Sequence, residues 1–193
     1  MEITNINQLD PNKVYTYADY LLWKLKERVE LFKGKIFKMS PAPARIHQDI
    51  LRNVNRIFDF YFVNHPCKLY FAPFDVRLPN KSGEILTVVQ PDLCVVCDLS
   101  KLDEKGCLGV PDLVVEILSP GNTKKEMDYK FSIYEEARVL EYWLVHPNDK
   151  NVQIFVLENG RYIGLKPFTE GETITSRTFP ELTFSVNDIF VNL

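Results

Sequence analysis

A chain of 193 residues, 46% of them hydrophobic, is long enough to bury one substantial core, so a single domain spanning 1–193 is expected. Its 25% charged and 12% aromatic content excludes the low-hydrophobicity, high-charge composition of disordered chains. The formal net charge of −3 excludes a protein that coats nucleic acid non-specifically, because such binding rests on an excess of Lys and Arg; a local basic patch stays open. Residues Met1 to Asp10 carry neither a basic leader nor an unbroken apolar stretch, and no apolar run reaches ~18 residues, so a cytoplasmic protein without a membrane span is expected. Cys67, Cys94, Cys97 and Cys107 are then expected as reduced core thiols. The pair Cys94-x-x-Cys97 also invites a zinc or redox reading, but it lies in an apparent strand that turns its two side chains to opposite faces.

In chain order, Thr16 fits an N-cap for a helix from about Tyr17 to Glu27, with Tyr17, Tyr20, Leu21 and Leu25 at helical spacing. Glu30 to Met39 reads as a hairpin turning at Lys33-Gly34 and stopped by Pro41 and Pro43. From about Arg45 to Val63, Ile46, Ile50, Val54, Ile57, Phe58 and Tyr61 form one stripe, the pattern of a helix laid on a sheet. Lys68 to Leu78 reads as a strand, Asn80 to Gly83 as a turn, Val88 to Cys97 as a strand, and Asp98 to Gly109 as a polar connection. Asp112 to Leu118 is almost continuously apolar, as strands covered on both faces are. Thr123 fits the N-cap of a helix to about Arg138; Tyr142 to Val145 and Val152 to Leu157 read as strands, followed by short strands and a small C-terminal element. This order predicts an α/β (α+β) domain with a mixed central sheet flanked by helices and additional β-hairpins. No Gly-x-Gly-x-x-Gly or Walker loop is present, so nucleotide-cofactor readings lose their footing.

Function is sought where a residue contradicts its surroundings. Glu116 sits inside the apolar run Leu113 to Leu118, where a lone carboxylate must take up a proton, meet a cation or ligate a metal. Asp92 is a second acid in an apolar strand. Asp112 shares the strand of Glu116, and four residues at ~3.3 Å each hold their Cα atoms ~13 Å apart, so Asp112 reads as a strand-start residue and Asp92 as the neighbour of Glu116. Lys130 falls in the helical arc of Met127, Phe131, Tyr134 and Ala137 that should face the sheet. At ~1.5 Å per residue it lies ~10 Å along a helix that can run back over the preceding strand towards Glu116. A structural salt bridge for Glu116 and a snorkelling side chain for Lys130 stay open beside a catalytic reading.

Gln90-Pro-Asp92, Pro111-Asp-Leu-Val-Val-Glu-Ile-Leu-Ser-Pro120, Lys130 with Tyr134, and Glu141-Tyr-Trp-Leu-Val145 resemble the Uma2 (DUF820) family, a branch of the PD-(D/E)XK nuclease superfamily. Glu30-Leu-Phe-Lys-Gly34 and Ser40-Pro41 with His47 are similar to that family's N-terminal segment, and the likeness covers about residues 15 to 190. The resemblance implies a restriction-endonuclease-like fold and a Mg²⁺- or Mn²⁺-dependent endonuclease acting on DNA. It implies that Asp92, Glu116 and the carbonyl of Ile117 hold the metal, that Lys130 is the catalytic lysine moved onto the helix, and that Glu30 is an additional acid. The usual Glu-x-Lys is Glu116-Ile-Leu118 here, and the usual Ala-Gly-Val is Ala137-Arg138-Val139. His47 could reach the site or be structural, while His65 and His146, beside prolines, read as loop residues. A homodimer is compatible with cutting two strands. The alternatives are a nuclease-fold binding or regulatory module without useful cleavage, and a metal-free carboxylate hydrolase, which leaves Lys130 unexplained.

Overall fold

The computed structural model describes residues 2–39, 44–119 and 124–193. The first half of the chain contains α1 (Tyr17–Tyr20), β1 (Val29–Phe32), β2 (Lys35–Lys38), α2 (Arg45–Phe62), β3 (Lys68–Phe71), β4 (Val76–Pro79), β5 (Ile85–Val89) and β6 (Leu93–Val96). It continues through β7 (Leu102–Asp103), β8 (Gly106–Leu108), β9 (Leu113–Ile117), α3 (Lys124–Ala137), β10 (Glu141–His146) and β11 (Asn151–Glu158). The chain finishes with β12 (Arg161–Gly164), β13 (Phe168–Thr169), β14 (Thr173–Thr175), β15 (Thr183–Ser185) and α4 (Val186–Ile189). The expected N-cap at Thr123 and the stop at Pro41 and Pro43 lie outside the described residues.

The central sheet runs β12-β11-β10-β9-β6-β3, with β13 on β11. Within it β9 and β10 are parallel and joined through α3, while the other pairs are antiparallel. One face packs on α2: Ile50, Val54 and Phe58 meet Leu93, Leu113, Val115 and Trp143. The other face, with Cys94, Val114 and Tyr142, meets Ile133 and Tyr134 of α3 together with Phe32, Val76 and Val89 of a second sheet. That second sheet has the order β2-β1-β5-β4-β8-β7. All five residues of β9 are buried, as its unbroken apolar run requires.

Several sequence expectations change. The first helix ends at Tyr20 instead of Glu27, although Thr16 caps it as expected, in a capping box that Asp19 completes. Trp23 bridges Ile3, and the Lys24 N–H donates to the Ile3 carbonyl, so pairing with a distant segment outcompetes a short helix. Second, the strands expected over 68–78 and 88–97 are each split between the two sheets: β3 and β6 pair in one, β4 and β5 in the other. Pro73 and Pro91, which lack the N–H that a ladder needs, stand where the chain changes sheet. The pair behaves as one long hairpin bent in the middle, and Asp92 sits at the bend, its carbonyl accepting from the Ala72 N–H at 3.1 Å.

Third, Cys67 and Cys97, expected as reduced thiols, form a disulfide with Sγ–Sγ 2.01 Å. The register that pairs Lys68 with Val96 carries on to place these two residues opposite each other. Cys94 and Cys107 are free and buried. The polar connection over 98–109 also folds into the short hairpin β7–β8, which adds to β4. The hairpin turn at Lys33-Gly34 forms as expected, with both residues at positive φ. A Cβ on Gly34 would stand 2.4 Å from Val14 Cγ1, so only glycine fits there.

Candidate active site

The site is assembled where the bent hairpin, β9, α3 and β1 meet. One step beyond the last paired residues, Leu93 and Val115, the antiparallel register sets Asp92 opposite Glu116. Glu116 points to α3: its Oε1 accepts from Lys130 Nζ at 2.8 Å and from the Tyr134 hydroxyl at 2.7 Å. Lys130 Nζ also lies 3.5 Å from Glu30 Oε1, and that oxygen accepts from the Gln90 N–H at 2.8 Å. Asp92 turns the other way, its Oδ2 accepting from the Ile117 N–H at 2.7 Å and meeting His47 Nε2 of α2 at 3.2 Å. A backbone donor at the end of β9 is thereby satisfied by a side chain, as the ladder runs out at Pro91.

The cluster is deeply desolvated: Glu30, Glu116 and Lys130 are each less than a tenth exposed. Burial pushes the Glu116 carboxyl upward; Lys130 pulls it back, and the charges of Asp92 and Glu30 push it up again. Burial likewise raises Glu30, offset in part by Lys130. Burial alone would lower the Lys130 ammonium, but Glu116 and Glu30 outweigh it and hold the charge on the amine. Two carboxylates, Glu30 and Glu116, therefore share the Lys130 ammonium, while Asp92 stands on the other side against His47.

The donor chemistry fits a hard divalent cation: two carboxylates opposed across neighbouring strands, with Ile117 next in the chain to Glu116 and its N–H on Asp92. Among the described residues no three His, Cys, Asp or Glu side chains converge as a metal-holding group, because Asp92 and Glu116 are turned to different internal partners. Next to Glu116 and Lys130 a small opening of about 20 Å³ is lined also by Met127 and Tyr142, space for about one water. On the Asp92 side a cleft of about 200 Å³ is lined by His47, Leu118 and His146.

The structure thus brings together all of Glu30, Asp92, Glu116, Ile117 and Lys130. Asp112 stays at the strand start, where its Oδ2 accepts from the Cys97 N–H at 2.7 Å. His146 ends β10 instead of lying in a loop. His47 belongs to the site, and its Nδ1 is buried with no partner among the described residues. Tyr134 was legible as a sheet-facing residue of α3 and as part of the family likeness, though not as the partner of Glu116. Asp75, which accepts from Gln90 Nε2 at 2.7 Å and is raised by burial, was not legible: no apolar run surrounds it, and its partner comes from a different strand. Glu141, fully buried, provides a contrast. It accepts from Trp143 Nε1 at 2.8 Å, the Ser176 hydroxyl at 2.7 Å and the Thr178 N–H at 2.7 Å, so neutral donors and not a cation satisfy its oxygens.

Residues 17–187 match the family model of Uma2, described as "Putative restriction endonuclease". An uncharacterized protein, slr1290, from Synechocystis sp. (strain ATCC 27184 / PCC 6803 / Kazusa) is 24% identical over 140 residues, covering 71% of each chain. A crystal structure from Anabaena variabilis ATCC 29413, described as a "putative nuclease belonging to DUF820", superposes with a TM-score of 0.71. It is 21% identical, with 91% of this chain and 97% of that one covered, and it carries the same fold.

Proposed function

From the premise that this chain belongs to the Uma2 family of restriction-endonuclease-like proteins, we propose that it is a Mg²⁺- or Mn²⁺-dependent endonuclease that hydrolyses DNA phosphodiester bonds. The observation that carries this reading is the buried Glu30–Lys130–Glu116 cluster, with Asp92 on the neighbouring strand opposite Glu116. Asp92, Glu116 and the carbonyl of Ile117 would hold the ion. When bound, a divalent ion supplies polarisation of the phosphodiester and a water of lowered pKa.

The protein's own groups do the rest. Lys130 keeps its proton between Glu116 and Glu30 and presents positive charge where a phosphate oxygen gains negative charge. Glu30, anchored by the Gln90 N–H, positions the lysine. Tyr134 fixes the orientation of Glu116, and His47 that of Asp92. The internal pairing of every acid favours a second reading, a binding module that keeps the fold without cleavage.

One experiment separates the two. Purified protein is incubated with supercoiled, linear, branched and single-stranded DNA in Mg²⁺ or Mn²⁺, beside Glu116→Ala prepared identically. Cleavage by the parent and none by the variant supports the nuclease; equal cleavage by both, or none by either, moves the assignment to the binding module.

A further inference from the structure

Two clefts of about 320 and 740 Å³ lie along one side of α3 and share Lys33, Ile133 and Glu136, so they form one continuous groove. In the smaller cleft the rings of Phe37 and Tyr129 meet at 70° with centroids 5.0 Å apart, and Lys125 Nζ stands 5.8 Å from each. Tyr129 is 41% exposed, an aromatic ring left at the surface beside a buried acid cluster. It immediately precedes Lys130 in the chain, and Phe37 pairs with Glu30 across β1 and β2. The rings are therefore lateral neighbours of the proposed site. On α3, Lys125, Tyr129, Ile133 and Glu136 follow one helical ridge.

The larger cleft adds Lys81 from the β4–β5 turn, Arg138 just beyond the end of α3, and Arg161 at the start of β12. Lys33 and Arg161 are bound to Glu136 and Glu135 at 2.8 and 3.0 Å. Lys81, Lys125 and Arg138 have no carboxylate partner among the described residues. Arg138 holds φ at +68°, a conformation usually left to glycine, so a guanidinium stands where a side chain is costly. In a chain of net charge −3, this groove carries an excess of cations.

Resting on the nuclease reading above, we propose that this groove is a track for single-stranded DNA. An unpaired base stacks on Tyr129, whose ring Phe37 supports edge-to-face, beside the Glu30–Lys130 cluster, and the phosphate backbone runs over Lys33 towards Lys81 and Arg138. A ring at the surface rewards bases that are not already stacked in a duplex, and stacking is tolerant of sequence. Lys125 and Arg138 mark the ends of ~20 Å of helix axis, and Lys33 and Lys81 line the clefts beside it, so the groove offers a phosphate chain several cations.

The test is fluorescence anisotropy with the full chain in EDTA, where no cleavage interferes, using a labelled single-stranded DNA, its duplex and the RNA of the same sequence. The single-stranded DNA should bind most tightly. Tyr129→Ala should weaken it about ten-fold or more, the scale of one lost base stack, while Tyr129→Phe should bind like the parent. Replacing Lys81 and Arg138 together by Gln should flatten the dependence of affinity on salt. Duplex or RNA bound as tightly as single-stranded DNA, or Tyr129→Ala binding like the parent while melting at the same temperature, overturns the track. Binding that depends on Tyr129 without any metal-dependent cleavage would sink the nuclease reading alone. Cleavage by a protein whose binding ignores Tyr129 would sink the track alone.

Discussion

Lys130 is the pivot of the site, since its ammonium meets both Glu30 and Glu116. Removing it leaves buried carboxylates facing each other, and breaking a buried pair from one side costs about 3–5 kcal/mol. Lys130→Met should therefore lower stability by that amount in urea denaturation and abolish cleavage. Adding Glu30→Gln to Lys130→Met should restore part of the stability and none of the cleavage; recovered cleavage would show that the lysine serves structure alone. Glu141→Ala makes the complementary case. It strands the Trp143, Ser176 and Thr178 donors, so a loss of about 3 kcal/mol is expected in the same denaturation assay. Lys130 and Glu116 were legible in the sequence because each puts a charge inside a periodic or continuous apolar pattern. Asp75 fits its local surroundings well enough to give no signal, Tyr134 gave one only through the family likeness, and the roles of both come from partners brought in by folding.

At the scale of elements, α2, β9 and α3 were legible because their signals are local: a 3.6-residue stripe, an unbroken apolar run, a helix with one misplaced lysine. The bent hairpin was not, since whether β3 continues into β4 is decided by which sheet each half joins. The same hairpin brings Cys67 against Cys97, closing a loop with a sequence separation of 30. By the loop-entropy argument that bond contributes about 3–4 kcal/mol, so reduction, or Cys67→Ser with Cys97→Ser, should lower the melting temperature clearly; an unchanged melt would contradict the bond. Near the C-terminus, Glu172 accepts from Lys166 and from the Thr169 N–H and hydroxyl. These hydrogen bonds depress its carboxyl from 4.5 to about 2. A depressed acid stabilises the fold above its unfolded value and loses that contribution as pH falls from 4.5 towards 2. Glu172→Gln should remove this part of the acid dependence, read as the difference in melting temperature between the two proteins across that window.

For the whole molecule, no helix of the described residues is long and apolar enough to cross a membrane. A net charge of −3 averages a basic groove along α3 against acids elsewhere, which is why composition alone gave no hint of a nucleic-acid surface. The fold class was legible from element order and from the resemblance carried by Gln90 to Asp92, Pro111 to Pro120 and Lys130. How the acids are paired was not, because that depends on side-chain directions across three layers. The proposed nuclease chemistry requires a divalent ion held by Asp92 and Glu116. Mn²⁺ binding to metal-free protein, followed by electron paramagnetic resonance for the parent and for Asp92→Asn, tests this. Saturable binding by the parent that the variant loses is the expected result; no binding by the parent, or equal binding by both, would overturn it.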